Sequence, residues 1–218
     1  LVGAAQRGAE VRLKVSVSRI NAESFNILGT LKGQDENLPP LVITTPRSGW
    51  WCCASERGGG LACWLEVIRA LGEAGSRRNV FFAAFSGHEL GHLGLDAFLK
   101  HRPEFAKDSF AWIHLGANIG GAQGPGARFS VSDESHERLV TSSMHEAGAK
   151  AIVPAPHGVI VGGESLEVAH QGARVICIVG GNDHFHLESD RWPETVDVEA
   201  VAAFGNAFIN IALQLAKA

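Results

Sequence analysis

The sequence lacks the features that mark several classes of protein. It has no run of lysines and arginines, and a formal net charge of −4 with a pI near 6.2 gives no basic surface for nucleic acid. Its longest apolar stretches, such as Val80–Phe85 and Val175–Val179, fall far short of the roughly 20 residues that cross a bilayer. The sequence therefore argues against a nucleic-acid partner and a membrane span, and we expect a soluble chain with small or neutral partners.

Cysteine is also sparse, and no signal peptide is visible. The four cysteines form no Cys-x-x-Cys pair, so core or loop thiols are expected rather than a metal or redox centre. The chain begins at Leu1 without a basic segment followed by a long apolar one, which predicts that the natural N-terminal region is absent. These observations leave the compartment open.

The length and the first strand patterns indicate one ordinary globular domain. A chain of 218 residues that is 45% hydrophobic can build one substantial core, so residues 1–218 are expected to form a single domain. Apolar and polar residues alternate over residues 10–18, which predicts a half-buried strand, and residues 26–31 predict a second short strand.

The rest of the chain alternates between short apolar runs and helical patterns. Continuous apolar runs at residues 41–45, 80–85, 110–115 and 173–179 are typical of strands buried on both faces. Apolar residues at helical spacing lie over residues 61–71, 139–144 and 201–215. We therefore predict an α/β three-layer sandwich with a mixed, mainly parallel central sheet, helices on both faces and an antiparallel edge from the N-terminal strands.

Ionisable side chains gather where such a fold would bring them together. In open α/β sheets the functional crevice lies beyond the carboxyl ends of the strands. This rule selects the loops at residues 46–60, 86–91, 116–121 and 180–190. A metal site or an acid/base site is therefore predicted from the residues in or beside these loops, namely Arg47, Glu56, His88, Glu89, His92, Asp183, His184, His186 and Asp190.

The segment from His88 to His92 matches the five-residue zincin pattern His-Glu-x-x-His, in which both histidines bind zinc. In zincins the pattern lies within a helix. Here a predicted strand and the turn Ser86-Gly87 place His88 at a strand-to-helix junction, and Phe98 stands where an extended zincin has its third histidine. A zincin site is therefore disfavoured.

A different resemblance fits the strand-turn-helix context. Residues 85–94, FSGHELGHLG, resemble the segment F-x-A-E-E-x-G-L-L-G of metallopeptidase family 28. Residues 54–71 resemble its G-A-x-D-N-x-S-G-x-A segment and the following helix, and residues 185–190 resemble y-H-t-x-x-D. The family includes leucyl aminopeptidases and glutamate carboxypeptidase, with transferrin receptor and glutaminyl cyclase as more distant relatives. The resemblance covers about residues 10–215 and implies the zinc exopeptidase fold.

The resemblance implies hydrolysis by two zinc ions, but several ligand positions are lost. The family's first ligand histidine falls on Thr45, and the aspartate that orients it falls on Arg47. A further ligand aspartate falls on Gly116, which has no side-chain ligand atom. A cation at position 47 also opposes a divalent metal. A two-metal site is therefore not expected.

The ligands implied for one metal survive. The bridging aspartate falls on Glu56, and the other two ligands are kept as Glu89 and His186. The general-base glutamate falls on His88, which is able to act as a base near neutral pH. This ligand set allows one zinc ion, because three protein ligands and a water make an acceptable catalytic zinc shell.

Three functions remain open at this point. The first is an aminopeptidase-like domain with a depleted metal site that is inactive or weak as a peptidase. The second is an active single-zinc hydrolase or cyclase with His88 as base. The third is a non-catalytic module that binds a protein or a peptide- or amino-acid-like ligand, in which Arg47 holds a carboxylate. The residues expected to line the cleft or support it are Thr45, Arg47, Gly116, His92, Asp183, His184 and Asp190. The oligomeric state is open, with a homo-oligomer among the alternatives. Members of the family are often secreted or periplasmic.

Overall fold

A six-stranded mixed sheet organises the chain. The computed structural model describes residues 2–10, 12–150, 154–156, 158–160 and 162–218. The strands, in chain order, are β1 (Ile27–Leu31), β2 (Leu41–Pro46), β3 (Val80–Phe85), β4 (Ala111–Leu115), β5 (Arg128–Val131) and β6 (Val175–Val179). Their order across the sheet is β1-β3-β2-β4-β6-β5, with parallel pairing among the inner four and antiparallel pairing at both edges.

Helices cover both faces of this sheet. The α-helices of the described residues are α1 (Val2–Gln6), α2 (Gly59–Ala74), α3 (Leu93–His101), α4 (Phe105–Asp108), α5 (Glu134–Glu146), α6 (Glu164–His170) and α7 (Val198–Lys217). The helix α1 has no buried residue, and the other six cover the sheet. One core lies between the sheet and α2, α5 and α7, and the other lies between the sheet and α3, α4 and α6. The predicted three-layer α/β sandwich with a mixed, mainly parallel sheet is therefore confirmed.

The inner strands are mostly apolar because both of their faces are covered. In β2, Leu41 and Ile43 point into one core and Val42 points into the other, and all three are fully buried. Successive side chains of a strand alternate between faces, so a strand with helices above and below it favours apolar residues on both faces. The buried polar side chains Thr44, Thr45 and His114 are hydrogen-bonded. This arrangement explains why the four continuous apolar runs of the sequence became β2, β3, β4 and β6.

The long C-terminal helix packs in the larger core. By length and composition alone, α7 would suffice to cross a membrane. Phe208 and Ile211 on its inner face are nevertheless buried, and the helix packs against α2 and α5. Core helices of globular proteins also meet this criterion of length and composition, so it does not identify a membrane span. The expected absence of a membrane span stays a prediction.

The prediction of a strand at residues 10–18 is wrong. Residue 10 and residues 12–18, the described part of that segment, form no strand, and Leu13, Val15 and Val17 are largely exposed. Alternation creates a strand only where a neighbouring strand can pair with it and a core can cover its apolar face. The second antiparallel edge comes instead from β5, which the sequence patterns did not indicate.

Candidate functional site

The loops after β2, β3 and β6 bring several ionisable residues together at one rim of the sheet. Glu56 lies on a π-helical turn, Ala54–Gly58, and is fully buried. Asp190, also buried, holds this turn: its two carboxylate oxygens accept hydrogen bonds from the backbone N–H groups of Ser55 and Glu56, each 2.9 Å long. Asp190 therefore has a positioning role, which fits its expected place beside the cleft.

A buried arginine lies between two carboxylates of this site. The Nη2 atom of Arg57 is 2.9 Å from Oε1 of Glu56 and 2.9 Å from Oε1 of Glu89. The side chains of Arg57, Glu56 and Glu89 are only 3%, 1% and 9% exposed. We call these three residues the arginine cluster. Because the cluster is largely removed from water, its charges interact more strongly than charges of a surface salt bridge.

Further contacts fix the guanidinium and the second carboxylate. Arg57 Nε donates a hydrogen bond to the carbonyl oxygen of Ser48. The hydroxyl of Ser48 donates to Oε2 of Glu89 at 2.7 Å and accepts from the backbone N–H of His88. Each oxygen of Glu89 therefore has a donor, one from Arg57 and one from Ser48.

The two glutamates of the cluster have opposite pKa shifts. Burial acts to raise the pKa of Glu89, but hydrogen bonds from Arg57 and Ser48 outweigh it, so the pKa lies below its usual value. Burial raises the pKa of Glu56 and outweighs the attraction of Arg57 and His186. Within the described part of the chain, neither side-chain oxygen of Glu56 has a hydrogen bond, so its partners are ion pairs only.

His186 completes the predicted trio. Its Nε2 atom is 3.4 Å from Oε1 of Glu56, and its side chain is about half exposed. The fold therefore brings Glu56, Glu89 and His186 to one place, as the topology predicted, although Arg57 lies between the two glutamates. Among the described residues, no group of three or more His, Cys, Asp or Glu side chains is arranged to hold a metal ion.

The residues at the ligand positions that the resemblance implies for a second metal make contacts with the rest of the protein. Thr45 is buried, and its hydroxyl donates to the carbonyl oxygen of Leu115 at 2.8 Å. Gly116 leaves no room for a side chain, since a Cβ there would lie 2.7 Å from the carbonyl oxygen of Ile178. Arg47 is exposed and donates to the carbonyl oxygen of Phe25 and to the hydroxyl of Ser86. The structure thus directs Arg47 to these oxygens and not to a carboxylate of the site.

His88 and His92 lie beside the arginine cluster but face α6. Nδ1 of His88 is 3.1 Å from Oε1 of Glu164, and Nδ1 of His92 is hydrogen-bonded to Oε1 of Glu167. The centroids of the two imidazole rings are 4.6 Å apart. We call these four residues the histidine pair and its glutamates.

A buried polar network lies behind Glu164. His114, on β4, has Nδ1 3.0 Å from the hydroxyl of Thr44, and that hydroxyl accepts a hydrogen bond from the indole N–H of Trp112. The hydroxyl hydrogen of Thr44 has two acceptors within reach, Nδ1 of a neutral imidazole at 3.0 Å and the carbonyl oxygen of Ile113 at 3.5 Å. Burial lowers the pKa of His114 to about 4 despite the attraction of Glu164, which keeps the ring neutral at ordinary pH.

The remaining predicted cleft residues lie on the loop after β6. His184 is hydrogen-bonded through its ring to Ser189 and Gln123, and the backbone N–H of Asp183 donates to the carbonyl oxygen of Gln123. These contacts fold the loop upon itself. Within the described part of the chain, neither His184 nor Asp183 forms a hydrogen bond or an ion pair with the arginine cluster.

Sequence reasoning missed the residues that decide the character of the site. In the family segment a neutral asparagine follows the aspartate, whereas here Arg57 follows Glu56. This change from a neutral to a charged side chain was the signal that could have pointed to Arg57. Glu164 and Glu167 gave no comparable signal. They approach the histidines only because α6 packs beside the loop that follows β3.

Comparison with known structures places this fold among zinc aminopeptidases. The zinc aminopeptidase BSAP from Bacillus subtilis superposes with a TM-score of 0.74 at 18% identity, over 88% of this chain and 50% of that one. The aminopeptidase LapA of Legionella pneumophila gives 0.70 at 14% identity, over 88% and 59%. A peptidase M28 precursor from Shewanella amazonensis gives 0.67 at 16% identity, over 89% and 45%. The resemblance to metallopeptidase family 28 is thus confirmed at the level of the fold.

Sequence comparison gives shorter matches. No protein-family model matches the chain. It is 28% identical over 119 residues to transferrin receptor protein 1 of Gallus gallus, and 30% identical over 102 residues to aminopeptidase YwaD of Bacillus subtilis. These matches cover 51% and 45% of this chain, but only 15% and 22% of the relatives. The chain therefore spans a small part of these relatives and about half the length of the similar solved structures.

Proposed function

We propose that this chain is an aminopeptidase-type domain in which an internal ion pair has replaced the zinc centre, and that it does not hydrolyse peptides. The observation that carries the proposal is the position of Arg57, with one nitrogen 2.9 Å from a carboxylate oxygen of Glu56 and of Glu89. These two glutamates are the carboxylates that the family resemblance assigns to a metal. A permanently charged guanidinium supplies the positive charge that they require.

The cluster in this arrangement does not fit a zinc ion. A zinc ion bound to a carboxylate lies about 2.0–2.2 Å from its oxygen, and a cation 2.9 Å from the same two oxygens would be repelled by it. Zinc binding here would require the buried Arg57 to leave. That movement would cost the guanidinium its contacts with Glu89 and with the carbonyl oxygen of Ser48.

Without a metal in the cluster, neither Arg57 nor Glu89 is suited to activating water. Arg57 cannot act as a base, because a guanidinium keeps its proton in proteins. Glu89 accepts hydrogen bonds at both oxygens and has a lowered pKa, so its carboxylate is a poor base. The cluster therefore holds the π-helical turn and the loop after β3 together instead of performing hydrolysis.

The two alternative functions receive unequal support. A single-zinc hydrolase with His88 as base is supported by the hydrogen bond between Nδ1 of His88 and Glu164, in which the carboxylate accepts and so would orient the imidazole. It is opposed by Arg57, which lies at the ligand positions. A non-catalytic binding module is compatible with the ion pair. Its ligand would be a small peptide or an amino-acid-like molecule, by analogy with the peptidases of this fold, and a secreted or periplasmic location stays a prediction.

Peptidase assays under metal-replete conditions test this proposal. The protein would be purified without chelators, supplied with zinc and incubated with a panel of aminoacyl chromogenic substrates, with a zinc aminopeptidase of this fold as the positive control. We expect no turnover above the level of the Glu89→Gln variant. Zinc-dependent turnover that Glu89→Gln abolishes would overturn the proposal, because Glu89 would then be acting as a ligand.

A further inference from the structure

The histidine pair has a geometry that the ion pair of the arginine cluster does not explain. Both His88 and His92 direct Nδ1 at a glutamate oxygen of α6. A carboxylate only accepts hydrogen bonds, so each neutral imidazole carries its proton on Nδ1 and has a lone pair on Nε2. Among the described residues, no side chain or backbone group is hydrogen-bonded to Nε2 of either ring.

This arrangement is typical of histidines that bind metals. A ligating imidazole almost always donates its other N–H to a carboxylate, a carbonyl or water, which fixes the tautomer and makes the ligand nitrogen more basic. Here two neighbouring imidazoles each have such a carboxylate. One of these carboxylates, Glu164, is 1% exposed, and its Oε2 atom has no hydrogen bond from the described residues.

The spacing of the rings also suits a shared ion. Consider two imidazoles that bind one ion through Nε2 at a distance of about 2.0–2.1 Å. When the Nε2–metal–Nε2 angle is about 90° or somewhat wider, the ring centroids lie about 4.5–5 Å apart. The observed separation is 4.6 Å. The side chains of His88 and His92 are 22% and 20% exposed, so an ion and its waters can reach them from solvent.

The surroundings favour a cation. Glu164 and Glu167 place two carboxylates behind the rings, whereas the nearby Arg57 is already paired with two carboxylates of its own. Position 163, next to the ring of His88, is a glycine: a Cβ there would lie 3.7 Å from Cε1 of His88. The absence of a side chain leaves that flank of the ring open.

We propose that His88 and His92 form a binding site for one divalent transition-metal ion of the Zn²⁺, Ni²⁺ or Cu²⁺ type. Nε2 of each ring is the ligand, water fills the remaining positions, and Glu164 and Glu167 are positioning residues. Imidazole nitrogen is the ligand that these ions share, whereas Mg²⁺ and Ca²⁺ prefer oxygen. This site is separate from the trio of Glu56, Glu89 and His186, and it does not depend on the absence of peptidase activity.

Metal titration of the untagged chain tests the site. Calorimetry with Ni²⁺ and Zn²⁺ is expected to show one ion per chain, and bound Cu²⁺ is expected to show hyperfine coupling to two imidazole nitrogens. His88→Gln and His92→Gln should each abolish the two-nitrogen signature and weaken binding at least about tenfold, with Glu164→Gln weakening it about 10–100-fold. Circular dichroism would establish that each variant is folded, and the two histidine variants serve as independent tests.

Two matched controls locate the ion. His101→Gln removes an exposed histidine outside the pair, and Glu89→Gln alters the arginine cluster, so neither should change the affinity. Equal binding by the wild type and both folded histidine variants would overturn the proposal, as would no binding at millimolar Ni²⁺ or Cu²⁺. Binding lost only in Glu89→Gln would place the ion in the arginine cluster, which contradicts this site and the proposed function together.

Discussion

Replacement of Arg57 by methionine would leave two buried carboxylates without their cation. Methionine keeps much of the volume of the side chain and removes the charge. Glu89 would then keep its charge without a cation, in a site where it and Glu56 are both less than a tenth exposed. Removal of one partner from a buried ion pair costs about 3–5 kcal/mol, so we expect the free energy of unfolding to fall by about that amount at neutral pH.

Urea denaturation at pH 7 would measure this loss. The matched control is Arg69→Met, because Arg69 pairs with Glu66 and Glu73 on the surface of α2, where such exposed pairs contribute little to stability. A triple variant with Arg57→Met, Glu56→Gln and Glu89→Gln should recover most of the stability, since it leaves no buried charge. A loss below about 1 kcal/mol for Arg57→Met would refute the view that this guanidinium neutralises the carboxylates.

Zinc should then occupy the place that the arginine leaves. Stabilisation by a ligand that binds only the folded state reaches about 2.7 kcal/mol at 100 times its dissociation constant. We expect zinc to stabilise Arg57→Met more than the wild type, and we expect Glu89→Gln in the same chain to remove the difference. Equal zinc stabilisation of the wild type and Arg57→Met would contradict the assignment of this position to the arginine.

Three further predictions concern stability. Glu89→Gln should lower the free energy of unfolding by about 1–3 kcal/mol at pH 7 and Glu56→Gln by much less, because the fold favours the ionised form of Glu89 and disfavours that of Glu56. The contribution of Glu89 should disappear as the pH falls through its lowered pKa. Equal losses for the two variants at pH 7 would contradict this. The pKa of His114 is lowered to about 4 in the folded state, whereas it is about 6.5 in the unfolded chain. As the pH falls from about 6.5 to about 4, the unfolded chain binds a proton that the folded chain does not, so the free energy of unfolding of the wild type should fall by up to about 3 kcal/mol. His114→Asn should show a smaller fall in urea titrations across this range, and an unchanged pH profile would refute the cause. Asp133 caps α5 by accepting a hydrogen bond from the backbone N–H of His136. Asp133→Ala should therefore lower the free energy of unfolding by about 1 kcal/mol and lower the melting temperature. The control Asp108→Ala, at the end of α4, should change the melting temperature little.

The parts of the fold that could be predicted are those that depend on local pattern. Residues 80–85 are apolar without interruption, and they form β3 because a strand covered on both faces needs such residues. Residues 10–18 show an equally clear pattern, the alternation of apolar and polar residues, yet their described part forms no strand. Alternation does not by itself supply a neighbouring strand to pair with. The short helix α6 has too few turns to give a clear period.

The location of the site was predictable, but its charge pattern was not. The parallel topology brings the ends of β2, β3 and β6 to one rim, so Glu56, Glu89 and His186 were expected to meet. The direction of the Arg57 side chain depends on the π-helical turn and on the position of Glu89, which is 32 residues away. Such a contact arises only from tertiary structure.

Anomalous scattering from zinc-soaked crystals of the wild-type protein tests the central claim most directly. The account predicts no zinc peak between Glu56, Glu89 and His186, with the Arg57 guanidinium in density within hydrogen-bond distance of both carboxylates. A peak beside the rings of His88 and His92 would agree with the separate site proposed there. A zinc peak among Glu56, Glu89 and His186, with Arg57 displaced, would contradict the claim that the ion pair has replaced the metal.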